Sequence, residues 1–290
     1  MKQHAFRTTI KLLGLFLAVS VSWPAAGEAQ EVFRIGIMQS QKDAARQYRP
    51  LEAYLQGKNI PVTFVAAKSY PDAAEMVARG DIDGMFSGSG VAGTMILKGL
   101  AEPVLRPVAD NGSSTYWALL IAPQGAPLFT GEASYFQGKK VLATALASSG
   151  EFFYRSLPGI GQAGGTLLYA ANHGAAIDAL SKGAADLAIV KNWTWESLKG
   201  QYPTLQVVGK DAGENPDMTL IVAKKADRKL VEKVRTALLA LKADQGAAAQ
   251  AVRDEMKISH YIPTTEQDFT HNLALLRRAG VDAKFNFEFK

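Results

Sequence analysis

Lys140-Val141-Leu142-Ala143-Thr144 reads as a strand, Ala145 to Gly150 as the loop leaving it, and the residues from Glu151 through about Leu157 as the helix that follows. The strand is short and apolar, and Phe152, Phe153 and Leu157 then fall at helical spacing. A strand feeding a helix through a short polar loop is the repeating unit of an α/β fold. The unit recurs toward the N-terminus. Val32 to Met38 reads as a strand, and Arg46 to Gln56 has helical spacing through Tyr48, Leu51, Tyr54 and Leu55, ended by Gly57-Lys58-Asn59. Val62 to Ala66 is a second strand, Pro71 to Arg79 a helix with proline in its first turn, and Asp83 to Phe86 a third strand. Ser87-Gly88-Ser89-Gly90 then turns into a helical pattern from Val91 to Lys98.

Toward the C-terminus come strand Thr166 to Tyr169, helix Ala175 to Ser181, strand Asp186 to Val190 and an aromatic turn of helix, Trp193 to Leu198. Two longer apolar runs, Tyr116 to Ala122 and Met218 to Ala223, link the halves. An amphipathic helix follows from about Arg228 to Leu241, and the last fifty residues read as helical. The expectation is an α/β protein with two βα lobes joined by two crossover strands and a ligand cleft between them. Lobe one comprises residues 30–118 and 219–290, and lobe two residues 119–218. In open α/β sheets ligands bind beyond the carboxyl ends of strands, so functional residues are sought in the loops after strands.

Residues 1–29 stand apart. A basic stretch to Lys11 precedes the apolar run Leu12 to Trp23, which is too short for a spanning helix and of the right length for a secretory signal peptide. Pro24 and the small residues Ala25-Ala26-Gly27-Glu28-Ala29 supply a cleavage site after Gly27 or Ala29. An uncleaved anchor is the other reading. Lys2, Arg7 and Lys11 against Glu28 account for +2 of the formal charge of +5, leaving 29 basic and 26 acidic residues in the rest. That balance offers no concentrated basic face for nucleic acid. With no cysteine there is no disulfide framework, iron–sulfur cluster, thiolate nucleophile or lipid-modified cysteine. A soluble periplasmic monomer is expected.

Ala147-Ser148-Ser149-Gly150, at the start of a helix, carries the most information. The first N–H groups of a helix lack internal partners, so two hydroxyls and a glycine there present converging donors to an oxyanion. Equally, one serine simply caps the helix. Ser87 and Ser89 give the same pair of readings in lobe one. His173 precedes a helix, where it donates to an anion or packs. Tyr70 and Tyr116, at a strand-to-helix loop and at the start of a connecting strand, either offer phenolic donors or sit in the core. Serine-hydrolase, phosphate-loop and zinc-protease motifs are all missing, and His173, His260 and His271 lack metal-ligand spacing. Neither a metal nor a cofactor is expected. With no recognisable general base beside a nucleophile, binding without catalysis is expected.

Taken together, these residues resemble the phosphate/phosphite/phosphonate substrate-binding proteins of ABC importers, which are two-lobed type II periplasmic binding proteins. The resemblance runs from Phe33-Arg34-Ile35-Gly36-Ile37 to the helix ending near Leu241. It rests on Tyr70 after the second strand, Tyr116-Trp117 opening the crossover, Ala147-Ser148-Ser149-Gly150 matching a Ser-Thr-Ser-Gly helix start without its first hydroxyl, and His173. It implies capture of a small phosphorus oxyanion or phosphonate for an ABC permease, with Tyr70, Tyr116, Ser148, Ser149 and His173 as ligand-binding residues. Ser87, Ser89, Ala147, Lys191, Asn192 and Asp217 form an outer set. Members that bind aminoalkylphosphonates hold the ammonium with carboxylates. Here Lys191-Asn192-Trp193 stands where one would be, and Asp217 corresponds to a second. Lys191 facing the cleft favours a more highly charged anion, and Asp217 is the one candidate to accept a P–OH proton. A receptor that presents a bound anion, sulfonate or sulfate included, to a membrane sensor is the alternative.

Overall fold

Runs buried at every position set the strands. In the computed structural model, which describes residues 32–38, 44–146 and 148–289, Gly84-Met85-Phe86-Ser87 and Leu187-Ala188-Ile189-Val190-Lys191 have no exposed position. Side chains that alternate between two faces are all buried only where both faces of the sheet are covered, as βα connections arrange. The expected signal peptide, residues 1–29, lies outside the described residues, as does Ala147. Among the described residues no helix is long and apolar enough to cross a membrane.

The first lobe is built from β1 (Phe33–Met38), a single turn α1 (Ala44–Gln47), α2 (Arg49–Gln56), β2 (Val62–Ala67), α3 (Tyr70–Arg79), β3 (Gly84–Ser87), α4 (Ser89–Leu97) and β4 (Ala101–Ala109). After the two-residue strand β5 (Thr115–Tyr116), the second lobe contains β6 (Ala118–Pro123), β7 (Lys140–Ala143), α5 (Ser149–Arg155), β8 (Thr166–Tyr169), α6 (His173–Ser181), β9 (Leu187–Lys191), α7 (Asn192–Leu198) and β10 (Leu205–Lys210). The chain returns through β11 (Asn215–Pro216) to β12 (Thr219–Ala223), α8 (Arg228–Ala240), α9 (Ala247–Met256), β13 (Ile258–Pro263) and α10 (Thr270–Arg278).

Six strands in the order β13-β4-β12-β3-β1-β2 form one sheet, and five in the order β10-β6-β9-β7-β8 form the other. β1, β2 and β3 run parallel, as do β7, β8 and β9, whereas β12 lies antiparallel between β3 and β4. One core cluster fills the first lobe, and two fill the opposite faces of the second sheet. The architecture is the two-lobed type II periplasmic-binding-protein fold.

The last fifty residues are not helical throughout. Ile258–Pro263 adds a strand to the edge of the first sheet, antiparallel to β4. The sequence pattern also passed over β4, because Pro103, Arg106 and Pro107 interrupt its apolar alternation. Proline cannot donate to a ladder, and both ladders of β4 carry a register shift, one of them beside the Ile221–Pro103 pair.

The crossover strands are shorter than the apolar runs that announced them. Tyr116 pairs with Asn215 in the hinge ladder β5–β11, and the second lobe begins at Ala118. Trp117 breaks the run because Asn192 holds it at both ends. The Asn192 side-chain oxygen accepts from Trp117 N–H at 3.1 Å, and Asn192 N–H donates to the Trp117 carbonyl at 3.1 Å. α10 packs against both α4 and α5, so the C-terminal segment spans the two lobes. Beyond it, Phe287 packs on Tyr70 at 6.2 Å, and Phe289 meets Phe152 at 5.8 Å beneath the Arg155 guanidinium.

Gly84 lies where β3 passes β12, and a Cβ there would stand 2.8 Å from the Ile221 carbonyl oxygen, an atom fixed in the sheet. Gly84→Ala is expected to lower stability by about 1–3 kcal/mol, as overpacking does in a filled core, measured as a shifted urea midpoint with unchanged slope.

Candidate functional site

Four helices start just after the carboxyl ends of strands β2, β3, β7 and β8, and their first N–H groups need partners. Ser69 Oγ caps α3 by accepting from Asp72 N–H at 3.3 Å, Asn172 caps α6 by accepting from Ala175 N–H at 2.9 Å, and Ser148 caps α5 by accepting from Gly150 N–H at 3.4 Å. α4 begins after Gly88 with no side-chain cap. Each start contributes to the wall of one cavity of about 690 Å³, through Tyr70, Ser87 and Gly88, Ser148, and Asn172 and His173.

Of the residues singled out from sequence, Tyr70, Ser87, Ser148, His173 and Lys191 line that cavity. Ser148 is also held by Thr144, hydroxyl to hydroxyl at 3.1 Å, so its capping role is built in. Tyr116, Ser89 and Ser149 lie behind the wall, each fully buried. The Tyr116 hydroxyl accepts from Ser149 N–H at 2.7 Å and is hydrogen-bonded to Ser89 Oγ, so one phenol ties the starts of α4 and α5 together. Burial raises the Tyr116 pKa, keeping the phenol protonated. Asn192 serves the hinge, and Asp217 lines an adjoining cavity rather than this one. Ala147 is outside the described residues.

Three buried polar atoms here have no hydrogen-bond partner among the described residues: Ser87 Oγ, Ser149 Oγ and His173 Nδ1. Buried groups of this kind are usually paired, and each one left open costs desolvation energy. Two of the three residues line the cavity, and the third sits next to Ser148. Burial, with the nearby Lys191 charge, pushes the His173 pKa down to about 3, so the ring is neutral and one nitrogen carries a proton to donate.

Lys191 Nζ contacts Asp217 at 2.5 Å and lies 4.3 Å from the Tyr116 ring and 5.0 Å from the Trp193 ring. Its charge is therefore balanced, and Asp217 Oδ1 also accepts from Met218 N–H at 3.0 Å. Met218 itself holds φ 44°, and Leu146, opposite Gly90, holds φ 48°. At Gly90 the lobes close on each other, for a Cβ there would fall 2.2 Å from the Leu146 carbonyl oxygen. Pattern reading passed over Tyr48, Phe86 and Met218 as wall residues, because Tyr48 and Phe86 look like core positions. Burial pushes the Tyr48 pKa up to about 12. Among the described residues no group of histidine and carboxylate side chains is arranged to hold a metal ion.

Residues 35–269 match the family described as ABC transporter, phosphonate, periplasmic substrate-binding protein. Comparison with curated protein sequences returns no match. Among solved structures, XAC2383 from Xanthomonas citri bound to ATP is similar with a TM-score of 0.71 at 16% identity, covering 86% of this chain and 97% of that one. PhnD1 from Prochlorococcus marinus in complex with methylphosphonate gives 0.66 at 13% identity, covering 87% and 99%. A binding protein component of an ABC phosphonate transporter from Pseudomonas aeruginosa gives 0.64 at 16% identity, covering 86% and 87%. At these identities the likeness is one of fold.

The lowered His173 pKa has a thermodynamic sign. Between pH 6.5 and about 3 the unfolded chain binds a proton at His173 that the folded chain excludes. Stability contributed by the neutral ring is therefore present above pH 6.5 and lost as pH falls through that window, by up to about 1.4 kcal/mol per pH unit. His173→Gln is expected to flatten this part of the profile, read from urea midpoints at pH 7 and 4.5. Equal losses in both proteins would show that the ring is not held neutral.

Proposed function

The chain belongs to the ABC-transporter phosphonate periplasmic substrate-binding family, whose members bind small ligands and hand them to a permease. On that premise we propose that it captures a small phosphorus oxyanion or phosphonate between its lobes for an ABC importer. One observation carries this reading: among the described residues the Ser87 hydroxyl and His173 Nδ1 are buried without partners at a single cavity, and the equally unpartnered Ser149 hydroxyl lies next to Ser148 of its wall. A tetrahedral oxyanion supplies the acceptors these groups lack. Charge-assisted hydrogen bonds from them, with Tyr70 from the other side, offset the cost of stripping water from the anion. Tyr116 acts one layer back, fixing the helix starts that present Ser89 and Ser149. Closure around the anion is the state a permease reads, favoured because the closed form completes the shell. The site works without catalysis, on the periplasmic side of the membrane.

The two kinds of serine separate anion binding from helix capping. Ser87 and Ser149 bond nothing through their hydroxyls, so Ser87→Ala with Ser149→Ala is expected to leave ligand-free stability within about 0.5 kcal/mol. Ser148→Ala is expected to cost about 1 kcal/mol through the lost cap. Methylphosphonate or phosphite at a hundred times its dissociation constant stabilises the parent by about 2.7 kcal/mol. In a thermal-shift assay the double variant should lose most of that gain, and an undiminished shift would put the anion elsewhere.

A further inference from the structure

A second cavity of about 520 Å³ adjoins the first and shares Gln47, Tyr48, Phe86, Trp193 and Met218 with it as a common wall. Its far side carries Met256, Ile258 and Tyr261. Gln47, Glu255 and Lys257 line it from exposed positions, whereas the polar groups on its β4–β5 side are committed within the protein. Ser113 Oγ donates to the Thr115 carbonyl at 2.7 Å, Arg106 donates to Ser114 Oγ at 3.3 Å, and Thr115 Oγ1 donates to Glu214. Asn111 accepts from Ser113 N–H at 3.0 Å, and Asp217 is matched by Lys191. Away from those three exposed side chains, what the cavity offers a ligand is apolar and aromatic surface. Trp193 and Met218, at its border with the anion cavity, remain 41% and 40% exposed, which is uncovered apolar area where a ligand would pass.

Resting on the anion reading of the first cavity, we infer that the second takes the organic substituent of the bound anion, and that this substituent is uncharged, apolar and flat enough to lie against Tyr48, Phe86 and Trp193. Inorganic phosphate or phosphite leaves this space unfilled, and among the described residues the shared wall carries no carboxylate for an ammonium arm, Glu255 lining only the second cavity from an exposed position. Ligand pockets of several hundred cubic ångströms bury most of an organic molecule's surface. The preferred ligand class is thus an aryl- or alkyl-substituted tetrahedral oxyanion, either a phosphonate or a phosphate monoester.

Calorimetric titration of the full chain with phosphate, methylphosphonate, 2-aminoethylphosphonate, phenylphosphonate and phenyl phosphate tests the inference. The expected result is that phenylphosphonate or phenyl phosphate binds about ten-fold or more tightly than methylphosphonate, the tighter of the two identifying the source of the anion. The preference should fall several-fold in Ser197→Trp, which plugs the second cavity from an exposed helix position, or in Met256→Ala. Neither residue touches the first cavity. Methylphosphonate or the aminoethyl compound binding as tightly as the phenyl compounds, or a preference kept in both variants, would overturn the subsite and leave the anion site standing. No binding by any of the five would overturn both.

Discussion

The Tyr116 phenol is the contact on which the two lobes depend. It stands on a hinge strand, and its hydroxyl reaches Ser89 at the start of α4 in one lobe and Ser149 N–H at the start of α5 in the other. Its own burial is complete, so neither bond competes with water. Gly90 lets the lobes approach this closely, since any side chain there would strike the Leu146 carbonyl. From that point the cavity walls follow: the helix starts are held at fixed separation, and their remaining polar atoms are left facing a shared space.

Charge is used sparingly at this site. The positive group nearest the cavity, Lys191, is matched by Asp217 and covered by two aromatic rings, and His173 is neutral. On the proposed reading, recognition of an anion falls to oriented hydroxyl, imidazole and backbone donors, which act strongly where water is excluded. Donors of that kind accept many tetrahedral oxyanions, so under the proposed subsite selectivity among them shifts to the substituent, against the wall of Tyr48, Phe86, Trp193 and Met218.

Much of the fold was written locally. Short apolar runs followed by helical spacing marked β1, β2, β3, β7, β8 and β9, most plainly in β3 and β9, which are buried at every position. β4 and β13 were hidden for opposite reasons. Two prolines and two charges break the pattern of β4, and β13 follows α9 so directly that its apolar residues continue a helical reading. At the cavity, the rule that functional groups follow strand ends named Tyr70, Ser87, Ser148 and His173, which line it. It could not tell that Ser148 is spent on its cap while Ser149 is free, nor that Lys191 and Asp217 meet across 26 positions of sequence. Those facts depend on how the chain returns through the hinge.

The insertion of β12 between β3 and β4 has a consequence for how the chain reaches this state. The first sheet cannot close until residues 219–223 are present, so the N-terminal strands must wait for contacts more than a hundred positions away. Folding governed by such distant pairing is slow and cooperative over the whole length. A chain that stops short of β12 leaves β3 and β4 with bare edges, the kind of surface that invites aggregation and proteolysis. The strand of residues 219–223 is thus a condition for a complete first sheet.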